Sequence, residues 1–199
     1  MKGLRPVRVH QGKLIWAGEH WVAAIRPEGA TQPSASISLY HIRYSAAGEG
    51  NFAQVIIGGD APFSAVCIDR PELAEYRRAE FLARTIARDP NAPTVTARFQ
   101  REGDMRRDPA WIIETENRRI IVRWQIAEPP VIADGTFRAG TEHFTVLFFA
   151  REASIEINGR PVAGKAYLID GWKRTIGGER SSCCIALAEM MLEESAQAP

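Results

Sequence analysis

The sequence predicts a mainly β protein, an antiparallel β-barrel or a two-sheet sandwich, carrying one amphipathic helix over about residues 70–88. Three observations predict it. Most of the chain alternates apolar and polar residues between Gly, Pro, Asn and Asp turns, the pattern of half-buried strands. Only one segment switches to helical spacing. No helical pattern separates successive strands, so βαβ units are absent and neighbouring strands run antiparallel. About ten strands in one open sheet would leave exposed edges, which closure or a second packed sheet removes.

The elements follow in chain order. Val7 and Val9 precede Gln11-Gly12, Leu14-Ile15-Trp16 leads to Ala17-Gly18, and Trp21 to Ile25 continues as strand. Ile37, Leu39 and Tyr40–Tyr44 form the next, and AAGEG turns the chain. Phe52–Ile57 runs into Gly58-Gly59-Asp60, a hairpin signal, with Phe63–Ile68 as the return. Asp69-Arg70-Pro71-Glu72 then places a capping residue three positions before a Glu, with Pro in the first turn. Tyr76, Ala79, Leu82, Ala83 and Ile86 recur at helical spacing until DPNAP breaks the pattern.

Strands resume at Thr94–Phe99, and a charged loop, REGDMRRDP, follows. Trp111–Glu114 and Ile120–Trp124 flank Glu116-Asn117-Arg118 as a hairpin. Phe144–Phe149 and Ser154–Ile157 are read as two further strands, and Asn158-Gly159 is a strong two-residue hairpin turn. Tyr167-Leu168-Ile169 is short and apolar. The last apolar segment is expected as strand from Cys183 to about Ala188, with a helical end suggested by ALAEMMLEE and a frayed SAQAP tail.

Composition narrows the partners. The 199 residues are expected to form one domain, and a formal charge of +1 offers no basic face for nucleic acid. No apolar run reaches the roughly 18–20 residues of a bilayer span, and the first residues lack a signal-peptide core, so a cytoplasmic location is expected. Cys67, Cys183 and Cys184 give no disulfide framework, and the adjacent pair in an apolar run reads as core.

Chemistry-bearing residues are scattered. His10, His20, His41 and His143 form no His-x-His pair, the expected strand signature of a metal site, so neither a metal nor another cofactor is expected. Glu142-His143 could supply an acid and a base, but neighbouring strand residues point to opposite faces. Asp170 is a second candidate acid if it lies against an apolar wall, although capping a turn is its simpler role. Trp16, Trp21, Trp111, Trp124 and Trp172 either fill the core or line a ligand cavity, with Tyr40, Tyr44 and Tyr167 at its rim. Arg98 and Arg123 lie within strands and could reach a ligand carboxylate, whereas the other arginines of this region interleave with acids as a solvated face.

One stretch carries a family resemblance. Asn158-Gly159, Gly164 and Tyr167 form N-G-x-x-x-x-G-x-x-Y, followed by Asp170-Gly171-Trp172 as D-x-W. Over about 35 residues this resembles the lipocalin-like (calycin-type) β-barrels, in particular the hydroxyneurosporene synthase and AttH-like group. That group has a longer, two-lobed chain, so the resemblance implies one lobe here. It also implies a barrel with an apolar cavity and hydratase-like chemistry on hydrophobic substrates, without assigning catalytic positions. From the residues themselves, Gly164 permits a bulge and Trp172 would plug a barrel end. Three functions remain open: binding of a small, mainly apolar or amphipathic molecule; a hydratase, lyase or isomerase on the same scaffold, using Asp170, His143 or another buried acid; and an interaction protein with a filled core.

Overall fold

The computed structural model describes residues 12–59, 62–81, 92–126, 128–138 and 140–194. Val7, Val9, His10, the SAQAP tail and positions 82–88 of the expected helix lie outside the described residues. The strands β1 (Gly12–Ile25), β2 (Ala35–Ser45), β3 (Gly50–Ile57) and β4 (Phe63–Ile68) form an antiparallel meander. Helix α1 (Pro71–Tyr76) follows and is continued by a π-helical turn, Arg77–Phe81. After it come β5 (Thr94–Thr96), β6 (Arg98–Glu102), β7 (Ala110–Glu114), β8 (Arg119–Ile126) and β9 (Val131–Arg138). The rest is β10 (Thr141–Ile157), β11 (Arg160–Pro161), β12 (Leu168–Ile169), α2 (Gly171–Ile176), β13 (Arg180–Ser181) and β14 (Cys184–Glu194).

Ten strands, in the order β5-β4-β3-β2-β1-β14-β10-β8-β7-β6, form a nearly closed barrel. The ends of that path are one chain segment: β5 and β6 are separated only by Ala97, whose N–H donates to the Ile68 carbonyl at 2.7 Å. Counting this kinked segment once leaves an odd ring, which cannot alternate direction throughout. The mismatch falls at β4 and β5, which flank α1 and pair in parallel, an exception among the described strands to the expected antiparallel neighbours and absent βαβ units.

Alternation fills the interior. Trp21, Ile37, Leu39, Val55, Ile113, Val122, Trp124 and Ile185 are buried together, with Trp21 edge-on to Trp124 (5.2 Å) and to Trp111 (5.9 Å). Two clusters cover parts of the outer face. One packs Leu73, Ala74 and Tyr76 of α1 on Ile42, Phe52, Val66 and Met191. The other gathers Leu147, Phe149, Cys184 and Ala186 beneath residues of β9 and α2. Cys183 and Cys184 thus face opposite sides, and burial pushes both thiols upward in pKa.

Several expectations are corrected. Arg70, not Asp69, is the N-cap of α1, and it makes no side-chain cap bond. The Asp69 carboxylate instead accepts the Asn51 N–H (2.8 Å) and Asn51 Nδ2 (2.6 Å), because β3 offers it two donors. Phe144–Phe149 and Ser154–Ile157 are parts of one strand, β10, which runs between different partners along its length: β14 and β9 first, β8 later. The β9 strand was not legible in VIADGTFR, where Gly and Asp dilute the β pattern. The ALAEMMLEE segment stays extended to Glu194 because β1 and β10 pair with it on both edges, overriding its helix propensity. Asn158 (φ 52°) and Gly159 (φ 74°) do make the predicted two-residue turn, joining β10 to β11. No helix of the described residues is long and apolar enough to cross a membrane.

Candidate functional site

The site begins with a register fault in β14. On the β1 edge, Gly18 pairs with Glu189 but His20 pairs with Ala186; on the β10 edge, Phe144 pairs with Met190 but Val146 with Leu187. Each partner advances two residues while β14 advances three, so β14 carries one extra residue, a bulge, on both edges. Side chains alternate along a strand, so strict alternation from Cys183 and Ile185 would put Glu189 inside the apolar barrel. The extra residue turns Glu189 and Met191 to the outer face. The backbone bears the strain at Ala188, which sits at φ 52°, a left-handed conformation costly for any residue with a Cβ.

The neighbouring strand is shaped to match. At Gly18 a Cβ would collide with the His41 carbonyl, and the β1–β2 register shifts at the same point. Only glycine allows β2 this close approach, which sets where His20 falls on the outer face.

There the Glu189 carboxylate lies between two imidazoles. His143 Nε2 stands 2.9 Å from Oε1, and His20 Nδ1 3.4 Å from Oε2. The carboxylate side chain is 10% exposed, while the imidazoles are 20% (His20) and 19% (His143) exposed. The acid is therefore sequestered and the bases reach solvent. Burial pushes the Glu189 carboxyl upward, but the charge of His20 and the hydrogen bond from His143 outweigh it and hold it at about 2. At neutral pH Glu189 is an anion, and an anion only accepts hydrogen bonds. The nitrogens facing it, Nε2 of His143 and Nδ1 of His20, must therefore carry protons. The far nitrogen of His20, Nε2, lies 2.8 Å from the Ser38 hydroxyl.

Aromatic stacking fixes His20 as well. Its ring lies 3.9 Å from Tyr40 at 10°, Tyr40 stacks on Phe52 at 4.7 Å, and Trp16 meets Tyr40 edge-on at 5.7 Å. Two buried polar atoms here lack a hydrogen-bond partner among the described residues: Glu189 Oε2, whose His20 contact is an ion pair too long for a full bond, and Thr145 Oγ1. Thr145 sits in β10 between the residues that bracket the bulge. The imidazoles aim N–H groups at the carboxylate, not lone pairs at a shared point, and no group of three or more His, Cys, Asp or Glu among the described residues is placed to hold a metal ion.

Of the residues singled out in the sequence, His143 and Tyr40 meet at this centre. Glu142 stands next to His143 along the strand, but the carboxylate that His143 engages is Glu189, 46 residues away. Trp21, Trp111 and Trp124 pack in the barrel interior, and Trp16 lies in the cluster under α1. Trp172 packs edge-on against Phe149 at 5.3 Å on the outer face, so it covers the sheet and does not plug a barrel end. Arg98 and Arg123 are exposed on outward positions of β6 and β8. Asp170 is 83% exposed and pairs with Lys173 at 3.0 Å in the first turn of α2. Glu189, His20 and Ser38 were not singled out as a group. The available signal was a lone carboxylate inside an apolar strand, AEMML, but its partners come from 46 to 169 residues up the chain. No family model, no curated protein and no solved structure matches this chain.

Proposed function

We propose that this β-barrel binds a small molecule against the outer face of β1, β14 and β10 and transfers protons to and from it through the Glu189 centre. The carrying observation is a buried carboxylate held between two half-exposed imidazoles at a strained bulge. Such strain persists only where surrounding structure over-determines it, and it concentrates at functional sites. In this reading Glu189 is the fixed anion that sets both tautomers, and His20 and His143 are the acid–base pair. The Ser38 hydroxyl, on the basic nitrogen of His20, either orients the ring or is itself activated. The reaction class is hydration, elimination or isomerisation of a mainly apolar substrate. The resemblance of N-G-x-x-x-x-G-x-x-Y to the hydroxyneurosporene synthase and AttH-like group supports the same class.

The test is a thermal-shift panel of terpenoids, fatty acids and aromatic acids, followed by product analysis of each binder with wild-type protein and Glu189→Gln. Turnover by wild type that Glu189→Gln abolishes, with binding retained, is the expected result. A binder turned over equally by both proteins would remove the centre from the chemistry.

Binding inside the barrel is the second reading. One observation favours it: the Trp111 indole N–H, in the interior cluster, is buried with no acceptor among the described residues, and Arg101, paired with Glu19 at 3.0 Å, lies 5.8 Å from the Trp111 ring. Trp111→Phe should then alter the binding of carboxylic acids selectively.

A further inference from the structure

A second site lies away from Glu189, where the β7–β8 hairpin, the β10–β11 turn and the β5–β6 kink meet. They enclose an open cleft of about 650 Å³, a volume that suits a small molecule. Arg98, Arg118 and Arg119 line it, together with Glu114 and Glu116. The charges do not cancel pairwise. Glu114 is engaged by Arg119 Nε at 3.1 Å, which leaves two guanidinium groups against Glu116. Arg118 spends Nη1 on the Asn117 carbonyl (3.0 Å), while its Nε is buried with no acceptor among the described residues. A guanidinium donor withdrawn from water and left unpaired is costly, and a turn of the Arg118 side chain toward an anion in the cleft would satisfy it.

The walls are already fixed. Thr115 and Arg118 close the β7–β8 turn through a backbone bond (2.8 Å) and through the Thr115 hydroxyl, which accepts the Arg118 N–H at 3.1 Å. Asn158, in its left-handed conformation, clamps the neighbouring hairpin to it: its Oδ1 accepts the Arg119 N–H and its own N–H donates to the Arg119 carbonyl, both at 2.8 Å. The crosslinked turns fix the backbone that carries Arg118, so its planar guanidinium is presented from a rigid base for bidentate anion recognition.

We infer that this cleft binds a small organic anion, a carboxylate or a phosphate, through Arg98 and Arg118. The site is independent of the Glu189 chemistry. Calorimetric titration with succinate and with inorganic phosphate tests it and separates the two anion types. Saturable binding of at least one is expected, weakening as salt is raised. Arg118→Gln and Arg98→Gln should each reduce affinity about tenfold or more, the loss of a charge-assisted pair. Arg123→Gln, which removes the same charge from an exposed position outside the cleft, should leave affinity unchanged, as should Glu189→Gln. Absence of saturation with both probes at tens of millimolar overturns the inference. So does an equal loss in Arg123→Gln, which would mean that net charge alone attracts the anion.

Discussion

The two faces of β14 differ in what they tolerate. The inner face runs Ile185 and Leu187, following Cys183, into an apolar interior built mainly by the side chains of other strands. The outer face, two residues further on, holds an ionised carboxylate, two imidazoles and a backbone residue in a left-handed conformation. The inner face follows from alternation alone. The outer face exists because one residue was inserted into the register, and it is stabilised by charge compensation where the inner face is stabilised by area. The comparison teaches that a barrel can hold an ionised carboxylate on its outside while its interior stays apolar.

The comparison would break most visibly inside. Trp124 is fully buried and donates its indole N–H to the Val22 carbonyl at 2.8 Å, so Trp124→Ala should cost about 3–5 kcal/mol in denaturant unfolding. A loss under about 1 kcal/mol would mean that the interior holds unfilled space after all. On the outer face, His143→Ala removes a hydrogen bond from a buried anion and should cost about 1–3 kcal/mol, with Glu189→Gln in the same background recovering part of it. No coupling between the two substitutions in a double-mutant cycle would show that the contact contributes nothing.

Acid sharpens the contrast. Glu189 is held at about 2 in the folded chain against 4.5 unfolded, so between these values the unfolded state binds the extra proton. Its contribution is present above about pH 4.5 and is lost as pH falls toward 2. Stability should therefore drop across that window, and Glu189→Gln should flatten this part of the profile; an unchanged slope would place the stabilising charge elsewhere. The thiols give a complementary reading of the interior. Burial pushes Cys67 up to about 12, so the native protein should resist an aromatic disulfide reagent at neutral pH and react only on unfolding. The smallest effect concerns the bulge. Ala188→Gly relieves the left-handed strain and should stabilise by about 1 kcal/mol in denaturant unfolding. Destabilisation would show that the methyl group packs usefully.

The sequence makes the barrel strands readable wherever alternation is uninterrupted, as in Trp21–Ile25, Ile37–Leu39 and Ile120–Trp124. It loses them where Gly and Asp interrupt, as in β9, or where a helix-favouring composition such as ALAEMMLEE is paired on both edges. His143 and Tyr40 were visible as residues of interest, but their relation to Glu189 was not. A contact between residues 46 positions apart is a property of strand order, which alternation does not encode.

By itself the sequence determined that these segments are strands, that their apolar sides face a common interior, and that Asn158-Gly159 turns a hairpin. Those are local consequences of side-chain period and backbone sterics. Only the tertiary structure decided that β14 lies between β1 and β10, that its register slips by one residue at Ala188, and that Glu189 consequently faces outward between His20 and His143. The reason is physical: a one-residue shift reverses which face a side chain occupies, and the contacts that hold the turned-out carboxylate come from strands far away in sequence.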